Sequence, residues 1–571
     1  MRYLVKQRHR APAVTGPIPV DQSLPRACVI GAGSSGIAAA KALAAAGVPF
    51  DWFEQGTVAG GNWVYDNPNG QSACYATLEI NTSCPRMSFS DFPMPASYPP
   101  YARHDQVAAY FEAYIDHFAL PDRITFNTKV VDVSQREDGA WAACIEGPDG
   151  AQTRSYDAVL VANGHHWDAR WPAPAYPGTF DGDQIHAHSY RSAEQLRDRD
   201  VVVVGSGNSA LDISVEAGRV ARSATLSQRR GQWVLRKFLL GKASDQIALP
   251  GWVPWWAVSL RLRFGALASG NVARLGLPQP AHKPGQSHPV QSEGIREALR
   301  SGAVTPKPAI ERLDGDRVIF VDGSSVPADL IVWATGYQVS FPFLDPALIE
   351  ARDNDLPLWK RTVHPDLPGL YFIGLLQPVG AVMPLAEAQG AWIAETLAGR
   401  YLPPPPDEVR RRMAADHERN RRRFYASPRH TMEVDFDQYL WDLRRERRRG
   451  AARAKSTSGV APDLANGGGK ASRRAGSPSR PARWWPPRRG PGFAGARQPS
   501  TAHPIPTGRT GGVVRARQAE RPLEHDPGAG LPDRLLEDCG HGAQTDLSHH
   551  RVVVGMGDEH QAQRERPSEA S

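Results

Sequence analysis

The chain has 571 residues, enough for two or three domains, and its 41% hydrophobic and 22% charged residues are compatible with a globular core. Its formal charge of +7 suggests nucleic acid, but roughly +6 of that falls after Arg449, which leaves the rest close to neutral and weakens that reading. There is no run of about 18 apolar residues, no apolar centre in the N-terminal MRYLVKQRHRAPAV, and no CxxC or metal-ligand spacing among the five cysteines, so we expect no transmembrane helix, no signal peptide and no metal site, and a reducing, cytoplasmic setting.

Residues 1–24 are polar and contain proline, and they read as a flexible arm. The first strong signal follows at once. Ala27 to Ile30 is a short apolar run, read as a buried parallel strand. Gly31, Gly33 and Gly36 then form GxGxxG, with Ser34 and Ser35 between them. An alanine-rich helix from Ser35 to Ala46 and a second strand from Phe50 to Phe53 come next, ending at Glu54. Gly31 allows the tight turn, Gly33 lets a pyrophosphate approach the backbone, and Gly36 lets the helix sit close to the sheet. The helix N-terminus offers free N–H groups to phosphates. A carboxylate about 20 residues on, here Glu54, accepts ribose hydroxyls. Strand, turn, helix, strand and acid in this order predict a dinucleotide site.

After Trp63 comes a long irregular stretch to Tyr101, rich in Pro, Ser, Asn and aromatics; so long a loop in a compact domain is functional or disordered, and the aromatics argue for function. Asp105 to Phe118 reads as an amphipathic helix with Val107, Tyr110, Phe111, Tyr114 and Phe118 on one face. Strands at Ile124–Val133 and Trp141–Ile145 flank the hairpin signal Asp138–Gly139, and Asp157–Ala162 is another buried strand.

The consecutive valines Val201 to Val204 run into Gly205, Ser206, Gly207, Asn208, Ser209 and Ala210, a second GxGxx(G/A). A helix over Ser209–Val220 and a strand near Ala224–Leu226 complete a second unit. At its end stand Arg229 and Arg230 where the first unit has Glu54. Guanidinium groups accept a 2′-phosphate that a carboxylate would repel, so the second nucleotide is read as NADP. The fold class expected is α/β with two Rossmann-like dinucleotide-binding domains.

Gly231 to Leu277 is crowded by Trp233, Trp252, Trp255 and Trp256. It could cap a channel or touch a membrane surface, but clustered aromatics usually bury area, so core packing is the preferred reading. Strands are expected at Arg317–Val321, Asp329–Trp333 and Leu370–Ile373, and a helix at Met383–Leu397. Asp407–Arg449 is charged and in part helical.

The run from Phe180 through Gly182 and His186 to Tyr190 fits FxGxxxHxxx(F/Y) at every fixed position, just ahead of the second glycine motif. With GNW at Gly61–Trp63, NTS at Asn81–Ser83, GNSALDI at Gly207–Ile213, the RRG at Arg229–Gly231 and ATGY at Ala334–Tyr337, the chain from about Ala27 to about Leu443 resembles the flavin-containing monooxygenases. The resemblance implies FAD and NADPH as cofactors. It implies a discontinuous FAD-binding domain (25–170 and 330–445) with an NADP-binding domain (171–329) inserted in it. Gly31, Gly33, Ser34, Ser35, Gly36 and Glu54 would hold the ADP part of FAD, Asn62 and Trp63 its ribityl chain, and Asn81 and Thr82 its ring. Asn81 would stand at the reactive C4a edge beside the nicotinamide. Gly205, Ser206, Gly207, Asn208, Ser209, Arg229, Arg230 and Thr335 would hold NADP, and His186 and Tyr190 would lie at the joint between the domains.

The implied reaction is insertion of one oxygen atom into an amine nitrogen or a sulfide by way of a C4a-hydroperoxyflavin, with O2 and a small molecule as partners. No nucleic acid or integral membrane association is implied, and a homodimer is compatible. Tyr190, where related Baeyer–Villiger enzymes have Trp, favours heteroatom oxygenation over ketone insertion. Rival readings are an uncoupled or non-catalytic nucleotide-binding protein and a flavin disulfide reductase; the latter needs a close redox pair, and Cys74 and Cys84 are too far apart in sequence. Residues 450–571 share no feature with the family. Gly and Pro make up about a quarter of them, so we expect a disordered tail, dispensable for catalysis, whose composition also suits a frameshift near residue 450.

Overall fold

Short runs of β-branched and aromatic residues build two parallel sheets, each of five strands. The computed structural model describes residues 10–458 except 15, 17, 240, 247–248, 288, 352–353 and 425–431. The first sheet has the order Leu370–Phe372, Ala158–Val161, Ala27–Ile30, Phe50–Phe53, Ile124–Thr125. Its central strand pairs on both sides in register, Ala27 with Phe50 and with Ala158. The second has the order Asp183–His186, Leu330–Trp333, Asp200–Val204, Ser223–Ser227, Thr305–Lys307. The central strands of both sheets are covered on both faces, which is why they read as unbroken apolar runs rather than alternating ones.

The chain leaves the first sheet after Val161, builds the whole second sheet, and returns after Trp333. The two crossing segments pair antiparallel, Asp168–Ala169 with Tyr337–Gln338. The strand Leu330–Trp333 belongs to the second sheet, so the boundary expected at 329/330 is corrected to the crossing at 334–336.

The helix Ser34–Ala46 packs against the helix Met383–Leu397 through small residues. A Cβ on Gly390 would stand 3.0 Å from Ala39 Cα, which lets the backbones approach. Gly47, at φ +75°, ends the first helix in the left-handed conformation glycine adopts without strain. The helix His104–His117 buries Val107, Tyr110, Phe111 and Tyr114, with Phe118 at its end, as its periodicity predicts. Buried side chains of this size each contribute about 1.5–3 kcal/mol.

Three expectations change. Residues 10–24 are not a free arm where they are described. The Ala11 N–H donates to Asp91 O at 2.8 Å, Asp21 N–H to Gly47 O at 2.8 Å, and Ile18 and Leu24 pack on the core. The last helix does not stop at Arg449 but runs from Phe436 to Ser458. Gly450 is needed inside it, because a Cβ there would lie 2.0 Å from the Tyr401 ring. Residues 459–571, the rest of the expected tail, lie outside the described residues.

The third change concerns the tryptophan-rich stretch. Only part of it packs. The Trp233 indole donates to His282 O at 2.8 Å, and Trp255 meets Phe424 edge-on. Trp252 and Trp256 are exposed, as are Leu260, Phe264 and Leu267 on the helix Trp255–Ser269. Apolar residues all round a helix exceed what one neighbouring surface can cover.

Candidate active site

A cavity of about 2000 Å³ opens where the strands of both sheets end, lined by Gly31 and Ala162 from the first sheet and Gly205 and Ala334 from the second. Such carboxyl ends of parallel strands are where open α/β sheets bind ligands.

The three glycines of the first motif do different things. Gly31 has φ +97°, and a Cβ there would sit 2.8 Å from Ala162 O. A Cβ on Gly36 would sit 1.8 Å from Gly31 O. Gly33, by contrast, has φ −76° and nothing nearer a Cβ than Gly61 Cα at 3.7 Å; its free side faces the cavity. That is the open cradle a phosphate requires. Ser34 and Ser35 begin the helix there, with no acidic residue in its first turn to compete for the N–H groups. Glu54 is buried and oriented. It accepts Ala32 N–H at 2.7 Å on Oε2, and Gly56 N–H at 2.8 Å and Asn69 Nδ2 at 3.2 Å on Oε1. Oε2 keeps capacity for a further donor.

Asn62, Trp63, Asn81 and Thr82 line the same cavity. The Asn62 side-chain carbonyl accepts Ala73 N–H at 2.8 Å, which fixes its amide. In the second motif, a Cβ on Gly205 would meet Ala334 O at 2.3 Å and the Ala210 Cβ at 3.1 Å. Alanine fits the third motif position because Gly205 leaves it room. Gly205, Ser206, Gly207, Asn208 and Ser209 face the cavity, as do Arg229 and Arg230. Both arginines are exposed, and neither forms an ion pair among the described residues. Thr335 also lines the cavity, but its hydroxyl donates to Arg170 O at 2.5 Å on the other crossing segment.

The Phe180–Tyr190 run divides. A Cβ on Gly182 would strike Asp329 O at 2.6 Å and Phe180 Cζ at 2.8 Å, so these two shape the second half rather than the cavity. His186 lines the cavity; burial, reinforced by His188, holds its pKa down to about 4, so it is neutral. Tyr190 is fully buried and donates to Glu216 Oε2 at 2.5 Å, with burial pushing its own pKa up. Neither is placed to exchange protons near pH 7. Burial pushes the Cys74 thiol up to about 12 and the Cys84 thiol also upward, which removes the thiolate a disulfide reductase needs. Among the described residues no group of three or more metal-ligating side chains gathers.

Sequence reasoning missed other contributors to the site. His165, His166, Trp171 and Arg170 line the cavity at the crossing segments, and the His165 and His166 rings lie 4.3 Å apart. Burial pushes the His165 pKa well down. Arg86, Asp245 and Arg261 line the part near Asn81, with Arg86 paired to Asp437 at 3.1 Å. These lie in stretches without motif or period, and only the fold brings them together.

Comparison with known proteins bears on this arrangement. The family described as "Flavin-binding monooxygenase-like" matches residues 25–447. The mouse protein "Flavin-containing monooxygenase 5" is 32% identical over 438 residues, 72% of this chain and 80% of that one. The rat "Dimethylaniline monooxygenase [N-oxide-forming] 2" is 30% identical over 441 residues, 73% of this chain and 82% of that one. Among solved structures, the S-allyl-L-cysteine S-oxygenase of Allium sativum superposes with a TM-score of 0.56 at 26% identity, covering 77% of this chain and 95% of its own.

Proposed function

The chain belongs to the flavin-binding monooxygenase-like family, and from that premise we propose which of its residues carry out an NADPH- and O2-dependent oxygenation of a nucleophilic nitrogen or sulfur. FAD, when bound, would supply the redox chemistry between NADPH and O2 that the oxygenation needs. The protein's share is binding, orientation and exclusion of water.

The discontinuous first half, 25–170 with the return segment, is the FAD half, and the inserted second sheet is the NADP half. Gly31, Gly33 and Gly36 shape the turn that receives the FAD pyrophosphate, and Ser34 and Ser35 offer it helix N–H groups. Glu54 takes a ribose hydroxyl on its less occupied oxygen. Asn62 and Trp63 flank the ribityl chain, with Asn81 and Thr82 at the ring. Gly205, Ser206, Gly207, Asn208 and Ser209 receive the NADP pyrophosphate. Arg229 and Arg230 would receive its 2′-phosphate, and Thr335 would serve the NADP site by bracing the crossing segments. The Asn81 amide donates to the reacting oxygen, and the walls around it keep water from diverting that oxygen to peroxide.

The observation that carries this assignment is the pair of uncapped helix N-termini, at Gly33 and Gly207, facing one cavity. The substrate is a small amine or sulfide reaching the cavity near Asn81. The test is NADPH oxidation with peroxide detection, using dimethylaniline and S-allyl-L-cysteine as probes. Product formed in step with NADPH is expected from at least one probe. The double variant Arg229→Ala, Arg230→Ala raises the KM for NADPH by about ten- to a hundredfold and leaves NADH use unchanged. Equal use of both coenzymes by the unaltered protein would remove the arginines from the site.

A further inference from the structure

Residues 75–83, which carry Asn81, form neither helix nor strand before Cys84, yet they are tied at alternate positions to the second half. The Tyr75 hydroxyl donates to Asp212 Oδ2 at 2.7 Å. The Thr77 hydroxyl donates to Glu216. The Lys237 ammonium meets Glu79, and its backbone carbonyl accepts the Tyr101 hydroxyl at 2.6 Å. The Ser83 N–H donates to Asp245 Oδ2 at 2.7 Å. Two of these ties, at 79 and 83, bracket Asn81 by two residues on either side.

Asp212 and Glu216 lie four residues apart on the helix Asn208–Val220, hence on one face of it. The first turn of that helix is the one assigned to the NADP pyrophosphate. Glu216 also accepts Tyr190, so the tyrosine of the Phe180 run is held by the same carboxylate that holds Thr77. Hydroxyls donating to carboxylates are among the stronger hydrogen bonds, and those of Tyr75 and Thr77 cross between the two halves.

We infer that Asp212 and Glu216 are positioning residues for the oxygenation: they clamp residues 75–79 to the NADP-site helix and so set where Asn81 stands relative to the nicotinamide. The inference rests on the assignments of Asn81 and of Gly205–Ser209 made above. Neither carboxylate touches the reacting atoms. Loosening the clamp lets water reach the site, and the enzyme then runs NADPH + H+ + O2 → NADP+ + H2O2, with both electrons of NADPH going to O2.

Asp212 adds a pH signature. Desolvation pushes its pKa up to about 6 against the lowering contributions of Tyr75 and Lys237, while Glu216 and Glu79 push it further up. Below that pH the clamp loses its charged acceptor.

The test uses FAD-loaded full-length protein in air without added substrate, so it does not depend on knowing the substrate. Tyr75→Phe and Glu216→Gln are expected to keep wild-type FAD content and to raise peroxide release by about tenfold, the size of one lost charge-assisted bond. Peroxide release by the unaltered protein rises as pH falls through about 6. Asp212→Asn, which keeps an acceptor oxygen but cannot titrate, lacks that step. A residue with a merely structural role would not move this difference between profiles. Wild-type peroxide release from Tyr75→Phe, or superimposable pH profiles for wild type and Asp212→Asn, overturns the inference. Should Tyr75→Phe fail to load FAD, the pair of pH profiles decides. If the unaltered protein binds FAD but does not oxidise NADPH, the proposed site assignment falls and takes the clamp with it; normal NADPH use with unchanged variants removes the clamp alone.

Discussion

Gly31, Gly33 and Gly36 are indistinguishable as letters, and their spacing alone announced a nucleotide turn. The motif position gives each a separate part, and the fold puts protein atoms against Gly31 and Gly36 and leaves Gly33 open to the cavity. Gly36→Ala drives a Cβ into Gly31 O at 1.8 Å and is expected to prevent folding, read as loss of a cooperative melting transition. Gly33→Ala meets nothing nearer than 3.7 Å on an ordinary backbone, so it folds with an unchanged transition but is purified colourless. A yellow Gly33→Ala protein would mean no phosphate lies there. Asp212 shows where such reading stops. It was visible within GNSALDI, but its partner Tyr75 lies far earlier in a loop with no period. Its raised pKa has a consequence for stability. The folded state binds the Asp212 proton more tightly than the unfolded state, so stability falls as pH rises from 3.8 to about 6, and the full cost persists above that. Asp212→Asn removes the charge, so it should stabilise the protein at pH 8 by on the order of 1–3 kcal/mol, with the gain vanishing toward pH 4. Urea unfolding at the two pH values checks this. An asparagine variant less stable at pH 8 would show that the charge is a net gain.

Elements were legible in proportion to their periodicity. The helix at Met383–Leu397 and the valine strand ending at Val204 lie where apolar spacing puts them, because both are buried by neighbours on known faces. The helix Trp255–Ser269 shows where that reasoning stops. Apolar residues recur on every side of it, so its sequence holds no clue to which side is covered. Val258 and Ala266 are buried, Arg261 and Leu262 line the cavity, and Trp256 and Leu267 stand 71% and 81% exposed. Trp256→Gln and Leu267→Gln should therefore leave unfolding free energy within about 0.5 kcal/mol of wild type, whereas Val258→Asp should cost about 3 kcal/mol or more. Denaturant midpoints distinguish them, and a large loss from Trp256→Gln would place that face under cover.

At the scale of the whole chain, the two glycine motifs announced two nucleotide units, and the return of the chain to the first sheet followed only from the resemblance. A strand completing a distant sheet leaves no local mark. The boundary expected at residue 450 moves for a related reason: composition and the absence of family motifs set it there, yet Arg453 reaches back to Leu402 O at 2.9 Å and Glu446 at 2.6 Å. Truncation after Arg449 is expected to lower the melting temperature, and truncation after Ser458 to leave melting and FAD content unchanged. Equal melting of the two truncated proteins would make residues 450–458 dispensable. Among the described residues no helix is long and apolar enough to cross a membrane. The paired crossing segments have a mechanical consequence. One strand between two bodies is a swivel and transmits no torque. Two strands bonded side by side, braced by the Thr335 hydroxyl on Arg170 O, resist twisting and bend about a single axis, as a strap hinge does.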